Sequence, residues 1–178
     1  MRYPLGILAL LLASSVGSAE RFYPMIMAIR PVAVQVGKAS VCEFESRYDL
    51  RGSDKVIVEG TGVVGTIVPP VGKADAKTPI TRLSMRFETT ADVLPGMRDV
   101  RLISPRGAST LGQIVVVRDP IVLETPNNNT MKTAQPITLP AAVCGALEVA
   151  EDVDFFKFTV KAGTALTFHM FCHRLADM

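Results

Sequence analysis

The chain has 178 residues, of which 48% are hydrophobic and 20% charged, and its formal net charge at pH 7 is +2. This length accommodates one or two domains with a substantial core, and the near-neutral charge with scattered Lys and Arg argues against a nucleic-acid partner. Gly and Pro are frequent, Trp is absent, and no stretch after the first 20 residues has clean helical spacing. The composition therefore predicts an all-β protein.

The first 19 residues predict a secretory signal peptide. Arg2 gives a positive start, an apolar stretch of about 12 residues follows, and Gly17-Ser18-Ala19 offers small residues for cleavage after Ala19. The alternative, a membrane anchor, needs about 20 apolar residues. We therefore expect export to the periplasm, the cell surface or the medium, with no membrane span after cleavage.

Residues 24–118 predict an immunoglobulin-like β-sandwich, because short β-like runs alternate there with turn residues. The clearest run is "TRLSMRFETT", which places Leu83, Met85 and Phe87 on one face and charged residues on the other. The stretch "GTIVPPVGKADAKTP" carries three prolines and predicts a loop.

A formal GxGxxG pattern, formed by Gly60, Gly62 and Gly65, follows the strand-like "KVIV". A dinucleotide site needs a helix directly after such a loop. Here "TIVPP" follows, and its β-branched residues and two prolines prevent a helix. The pattern is better explained as a turn of the sandwich.

Residues 119–140 have several prolines, three consecutive asparagines and little periodicity, and predict a surface linker. The triplet Asn128-Asn129-Thr130 matches an N-glycosylation sequon, which in a bacterial protein indicates an exposed loop.

Residues 141–178 contain three strand candidates, "AAVCGALEV", "DFFKFTV" and "ALTFHMFC", the last two joined by a "KAG" turn. Their alternation predicts an apolar face that is directed to a core and formed by Phe156, Phe158, Leu166, Phe168 and Met170. Three strands with one apolar face need a second layer. We therefore expect this unit to be incomplete and the chain to be a fragment.

The same region resembles the first half of a bacterial pre-peptidase C-terminal (PPC) domain. The most specific match is Asp-Val-Asp-x-Phe-x-Phe from Asp152 to Phe158. Supporting matches are Glu124 with Pro126-Asn127-Asn128, Ala134 to Ile137, Val143 to Gly145, Ala162-Gly163 and Leu166 to Phe168. The layout of export signal, immunoglobulin-like unit and PPC-like unit is similar to large secreted proteins of planctomycete-type bacteria.

This resemblance implies a β-sandwich of the kind found beside secreted peptidases and other exported enzymes, some of which bind calcium. Thr125 stands where many members carry a second acid, and Glu151 replaces a usual Gly. The acid lost at Thr125 weakens the transfer of a calcium site.

Asp152 and Asp154, with Glu148 and Glu151 beside them, are weak calcium candidates, because calcium prefers carboxylate and carbonyl oxygens. The alternative is an acid-rich turn in which the aspartates accept hydrogen bonds. No other cofactor is predicted. If "HMFCH" is extended, His169 and His173 share one face and Cys172 lies on the other, so they do not form a metal site. No GxSxG pattern occurs, and we expect no catalytic site within these residues.

The three cysteines, Cys42, Cys144 and Cys172, permit at most one intramolecular bridge. Cys144 and Cys172 are the candidate disulfide pair within the C-terminal unit. The alternative is that the cysteines serve as small buried hydrophobic residues. No CxxC pattern indicates a zinc site.

These observations predict an exported, non-catalytic accessory or binding module of a larger secreted or cell-surface bacterial protein. Its expected partners are other domains of the same polypeptide and an extracellular protein or polysaccharide. The alternative is a fragment of a secreted peptidase or other hydrolase whose catalytic domain is absent from this chain, so enzymatic activity of the whole protein is left undecided. A cell-surface structural protein is a third reading.

Overall fold

The structure is a computed structural model that describes residues 23–69, 77–147 and 149–171. This part of the chain contains no helix. Its strands are β1 (Ile26–Arg30), β2 (Ala33–Gln35), β3 (Ala39–Ser46), β4 (Lys55–Val58), β5 (Val63–Ile67), β6 (Arg82–Thr89), β7 (Gly96–Ser104), β8 (Gly107–Ala108), β9 (Gly112–Val117), β10 (Ile121–Leu123), β11 (Gln135–Pro136), β12 (Ala142–Cys144) and β13 (Phe156–Lys157). The predicted signal peptide, residues 1–19, lies outside the described residues.

One sheet of the sandwich has the strand order β1-β3-β6-β5 and is antiparallel throughout. Its central ladder places Cys42 opposite Met85 and Phe44 opposite Leu83. All four side chains are buried, because alternate residues of a strand point to the same face.

The second sheet has the order β2-β9-β7-β4, with β8 pairing to the end of β7. The pairs β9–β7 and β7–β4 are antiparallel, whereas β2 runs parallel to β9. This sheet contributes Val34, Val100, Leu102, Ile114 and Val116 to the core. Its edges are the short strands β2 and β4.

The core lies between these two sheets, where the rings of Phe44 and Phe87 stack with their centroids 6.1 Å apart. Leu83, Met85 and Phe87 are buried, whereas Arg82 and its charged neighbours on the other face are exposed, as the alternation predicts. The prediction of an all-β sandwich is confirmed. Burying apolar surface from two facing sheets is the principal source of its stability.

The glycine pattern at residues 60–65 belongs to the crossover between the sheets. Gly60 and Gly62 both have φ near +81°, which favours glycine, so they form the turn after β4. Gly65 lies in β5, where a Cβ atom would come within 2.7 Å of Val56 Cγ1 and 2.9 Å of Phe87 Cε1. The pattern therefore serves turn geometry and close packing. The sequence predicts a loop from residue 65 onward, and this prediction is wrong for residues 65–67, which lie in β5.

After the sandwich, two small parallel pairs form between β10 and β12 and between β11 and β13. Two of these strands, β10 and β11, lie inside the predicted linker 119–140. Strand β10 also lies against β2 of the sandwich. The segment is therefore partly ordered by strand pairing and contacts the first unit.

The closing segment differs from the prediction. Residues 164–171 form no strand, although the "KAG" turn is present, with Thr164 N donating to Lys161 O at 3.1 Å. The side chains predicted to face a core are in water: Leu166 is 40% exposed, Phe168 74% and Met170 83%. Phe158 is half-buried and lies beside the ring of Phe168, with centroids 6.2 Å apart. No second layer covers this face within the described residues.

Candidate functional site

Polar side chains from two separate segments meet beside the β10–β12 pair. One segment, residues 124–129, follows β10 and contributes Glu124, Asn128 and Asn129. The other is the turn before β13, which contributes Asp152 and Asp154. We call these five residues the acid–amide cluster. The sequence singled out its two aspartates as site residues.

Glu124 is anchored by both its backbone and its carboxylate. Its N–H donates to Cys144 O at 2.9 Å, and its Oε2 accepts the Ala146 N–H at 2.9 Å. A Cβ atom at Gly145 would collide with the Glu124 carboxylate, so the close approach requires glycine there. These contacts place the carboxylate directly after β12.

Asn128 is fully buried. With its amide oriented to satisfy both neighbours, Nδ2 donates to Asp154 Oδ1 at 3.1 Å and to Thr125 O at 3.0 Å. Its backbone carbonyl accepts the Phe155 N–H at 2.8 Å. The prediction that the sequon marks an exposed loop is therefore wrong for Asn128, because its amide is used inside the fold.

Asn129 makes a parallel contact, with Nδ2 donating to Asp152 Oδ1 at 3.2 Å. Each aspartate of the cluster thus accepts a hydrogen bond from a neighbouring asparagine amide. These bonds tie the turn before β13 to the segment after β10. The sequence missed both asparagines as partners, and the signal was an asparagine run 23 residues before the acidic turn.

The cluster concentrates negative charge. Partial burial raises the pKa of the Glu124 carboxyl, and the nearby Asp154 and Asp152 carboxylates raise it further against the lowering effect of the Ala146 N–H. A group that would reduce this repulsion, whether a proton or a cation, would be favoured here.

The described residues contain no group of three or more His, Cys, Asp or Glu side chains that could hold a metal ion. Amide donors already occupy one oxygen each of Asp152 and Asp154. Calcium binding by these aspartates stays a prediction from the sequence. His169 is exposed on the closing segment, and His173 lies outside the described residues.

Two of the three cysteines lie within the described residues. Cys42 is fully buried and Cys144 half-buried, and both are free thiols. Cys172, the predicted partner of Cys144, lies outside the described residues.

A second surface feature is an open groove of about 600 Å³ at the end of the sandwich that carries the β4–β5 turn. Its wall includes Arg98, whose guanidinium donates to Met97 O at 2.8 Å and Leu94 O at 2.7 Å. These bonds hold the turn before β7, so the guanidinium is used structurally. The groove offers Glu59 and Asp92 as further charges.

No protein-family model matches the chain, and no curated protein is significantly similar to it. Where the chain is described, it forms no helix long and apolar enough to cross a lipid bilayer.

Proposed function

We propose that this chain is an exported, non-catalytic accessory module of a larger secreted or cell-surface bacterial protein. In this proposal the sandwich is a rigid spacer, and the PPC-like second half packs against another domain of the same polypeptide. The observation that carries the proposal is the exposure of apolar side chains along residues 166–171, in a chain whose sandwich encloses its own core.

Every second residue of this segment is an exposed apolar one: Leu166, Phe168 and Met170. Phe171 beside them is 53% exposed. Clustered exposed apolar side chains on a soluble protein favour an interaction surface over a free one. Covering a large apolar side chain contributes about 1.5–3 kcal/mol. A protein surface that seals Phe168 and Met170 would therefore be held firmly.

The sandwich offers a second kind of surface for an extracellular protein or polysaccharide. Its edge strands β4 and β5 lie side by side and expose Ile57 (44%) and Val64 (63%). Edge strands present unpaired backbone donors and acceptors, which extended partners can use.

Export is tested by fusing residues 1–22 to an alkaline phosphatase that lacks its own signal and becomes active only outside the cytoplasm. We expect phosphatase activity from this fusion and none from a fusion that lacks residues 2–19. A silent first fusion, expressed at the same level, would contradict export.

The docking face is tested with the double variant Phe168→Ser, Met170→Ser. We expect this variant to bind much less of a hydrophobic fluorescent dye than the unmodified chain, with an unchanged thermal melt, because both side chains are already in water. The control is Leu94→Ser, an exposed apolar position of the sandwich (71%), which should leave dye binding nearly unchanged. A large loss of thermal stability in the double variant would mean that these side chains are buried within the chain itself, and the proposal would fail.

A further inference from the structure

Cys42 lies where the two sheets of the sandwich come together at β2 and β3. The turn between these strands is held by Gln35 N, which donates to Ser40 Oγ at 3.1 Å. Two residues away from this contact along each strand are Ala33 and Cys42, both buried. Strands β2 and β3 belong to different sheets but contact each other. Cys42 therefore lies on a strand that packs against β2.

Cys144 reaches the same place from the second half of the chain. It ends β12, which pairs with β10, and β10 lies against β2. The backbone N–H of Ala33, on the edge of β2 that faces away from β9, donates a hydrogen bond to the Cys144 sulfur. Strand β2 thus contacts both β3, which carries Cys42, and Cys144 itself, and the two thiols are near enough for Cys144 to affect the pKa of Cys42.

We propose that Cys42 and Cys144 form a disulfide bond in an oxidising environment, joining β3 of the sandwich covalently to β12 of the following unit. The environment rests on the proposed export, whereas the pairing rests on the contacts of β2 with β3 on one side and with β10 and Cys144 on the other. The pair differs from Cys144–Cys172, the candidate pair named from the sequence, and leaves Cys172 as the single unpaired thiol of the chain.

The reaction is thiol–disulfide exchange with a disulfide-bearing oxidant. Cys144 is the half-buried thiol and attacks first: its thiolate bonds to one oxidant sulfur and expels the other as a thiolate. The Cys42 thiolate then attacks the Cys144 sulfur and expels the second oxidant thiolate. Two protein thiols are oxidised, one oxidant disulfide is reduced, and the two protons end on the two released thiols.

The electrostatics support proximity and this order. Burial, followed by the influence of nearby Cys144, raises the pKa of the Cys42 thiol to about 12. Burial also raises the pKa of Cys144, although the Ala33 N–H lowers it. Because a thiolate is the attacking species, Cys42 is the poorer first nucleophile.

The test uses the purified chain equilibrated with oxidised glutathione, alkylated, and digested with trypsin without reduction. Cleavage after Lys and Arg puts the three cysteines in separate peptides, 39–47, 133–157 and 162–174. We expect a linked pair of 39–47 with 133–157 that separates on reduction, while 162–174 is recovered in alkylated or glutathione-bearing form. A link between 133–157 and 162–174, or three unlinked cysteines in a chain with a native melt, would overturn the proposal.

Matched variants distinguish the proposed cysteine pair from the other possible pairs. Cys172→Ser should retain the linked pair, and Cys144→Ser should lose it. The oxidised unmodified chain and oxidised Cys172→Ser should melt at higher temperature than their reduced forms, whereas Cys144→Ser should show no such shift. Because Cys144 is half-buried, this variant is informative even if Cys42→Ser fails to fold. The reaction is followed in purified protein, so a failure of export would leave the result standing.

Discussion

Asp49 shows how one carboxylate can hold two distant stretches together. Its Oδ1 accepts the Arg51 N–H at 3.0 Å and the Ile80 N–H at 2.9 Å, and Arg106 lies 3.6 Å from Oδ2. Burial pushes the pKa of Asp49 up, but the backbone bonds from Ile80 and Arg51 and the charges of Arg51 and Arg106 hold it below its ordinary value. The ionised form therefore stabilises the folded state.

Replacing Asp49 separates the hydrogen bonds from the charge. Asp49→Ala should lower the free energy of unfolding by about 2–3 kcal/mol, because two N–H groups lose their acceptor. Asp49→Asn keeps an acceptor oxygen and should cost less. A lowered folded pKa contributes stability above the unfolded value of 3.8 that is lost as pH falls through the folded value. Urea unfolding should show the gap between wild type and Asp49→Asn closing below pH 3.8; a gap independent of pH would contradict the assignment.

Glu124 contributes to stability with the opposite dependence on pH. Its raised pKa means that its contribution to stability is complete below the ordinary value of 4.5 and is lost as pH rises through the folded value. Glu124→Gln retains an acceptor for Ala146 and removes a charge from the acid–amide cluster. We expect this variant to melt above wild type at pH 7 and to lose the advantage by pH 4.5.

The same variant tests the calcium prediction. If calcium binds among the carboxylates, millimolar calcium should raise the melting temperature of the wild type more than that of Glu124→Gln, and chelator should reverse it. Equal responses of the two proteins, or none, would count against a calcium site at this cluster.

At the scale of elements, strand β5 can pack where it does because Gly65 has no side chain. Gly65→Ala would place a methyl group within 3 Å of Val56 and Phe87, and overpacking of this kind costs about 1–3 kcal/mol. The neighbouring Val64→Ala, at an exposed position, should stay within about 0.5 kcal/mol of wild type. Chemical denaturation of both variants measures the difference. If Gly65→Ala left the free energy of unfolding unchanged, the two sheets would have to separate easily at this edge.

Strands with clear alternation were predictable from the sequence, and strands set by distant pairing were not. In β6 the period-two pattern of Leu83, Met85 and Phe87 settles both the strand and its buried face. Strand β5 carries glycine and two prolines follow it, so local propensity points to a loop, and only packing on β6 makes it a strand.

The candidate site was predictable only in part. Asp152 and Asp154 stand out as an acidic pair, but their partners come from an asparagine run whose local composition is that of an exposed linker. Asn128 is buried because Asp154 and the Phe155 backbone contact it from the turn before β13, while the Thr125 backbone contacts it from its own segment. Such contacts depend on the pairing of β10 with β12 and β11 with β13, and no local period encodes that.

At the scale of the whole molecule, the two halves differ in how they are stabilised. The sandwich encloses its own core. The second half consists of two-stranded parallel pairs, and its strand β10 contacts strand β2 of the sandwich. Two-stranded sheets are marginal in water. Residues 119–178 alone should therefore show no cooperative thermal melt, whereas residues 23–118 should melt cooperatively. Circular dichroism of both pieces checks this, and a sharp monomeric transition in the smaller piece would show that it has a sufficient core.

The parallel pairing of β2 with β9 has a mechanical consequence. Val115 N donates to Val32 O at 2.9 Å, and Val36 N donates to Val117 O at 2.8 Å. Backbone hydrogen bonds therefore flank the paired residues of β2 and β9 at both ends. If neighbouring domains pulled on residues 23 and 118, the two strands would be drawn in opposite directions along their lengths, and these bonds would be loaded together in shear instead of opening one after another. A tandem array stretched by atomic force microscopy should therefore yield one abrupt rupture per sandwich, at a higher force when pulled through these ends than through the β4–β5 turn.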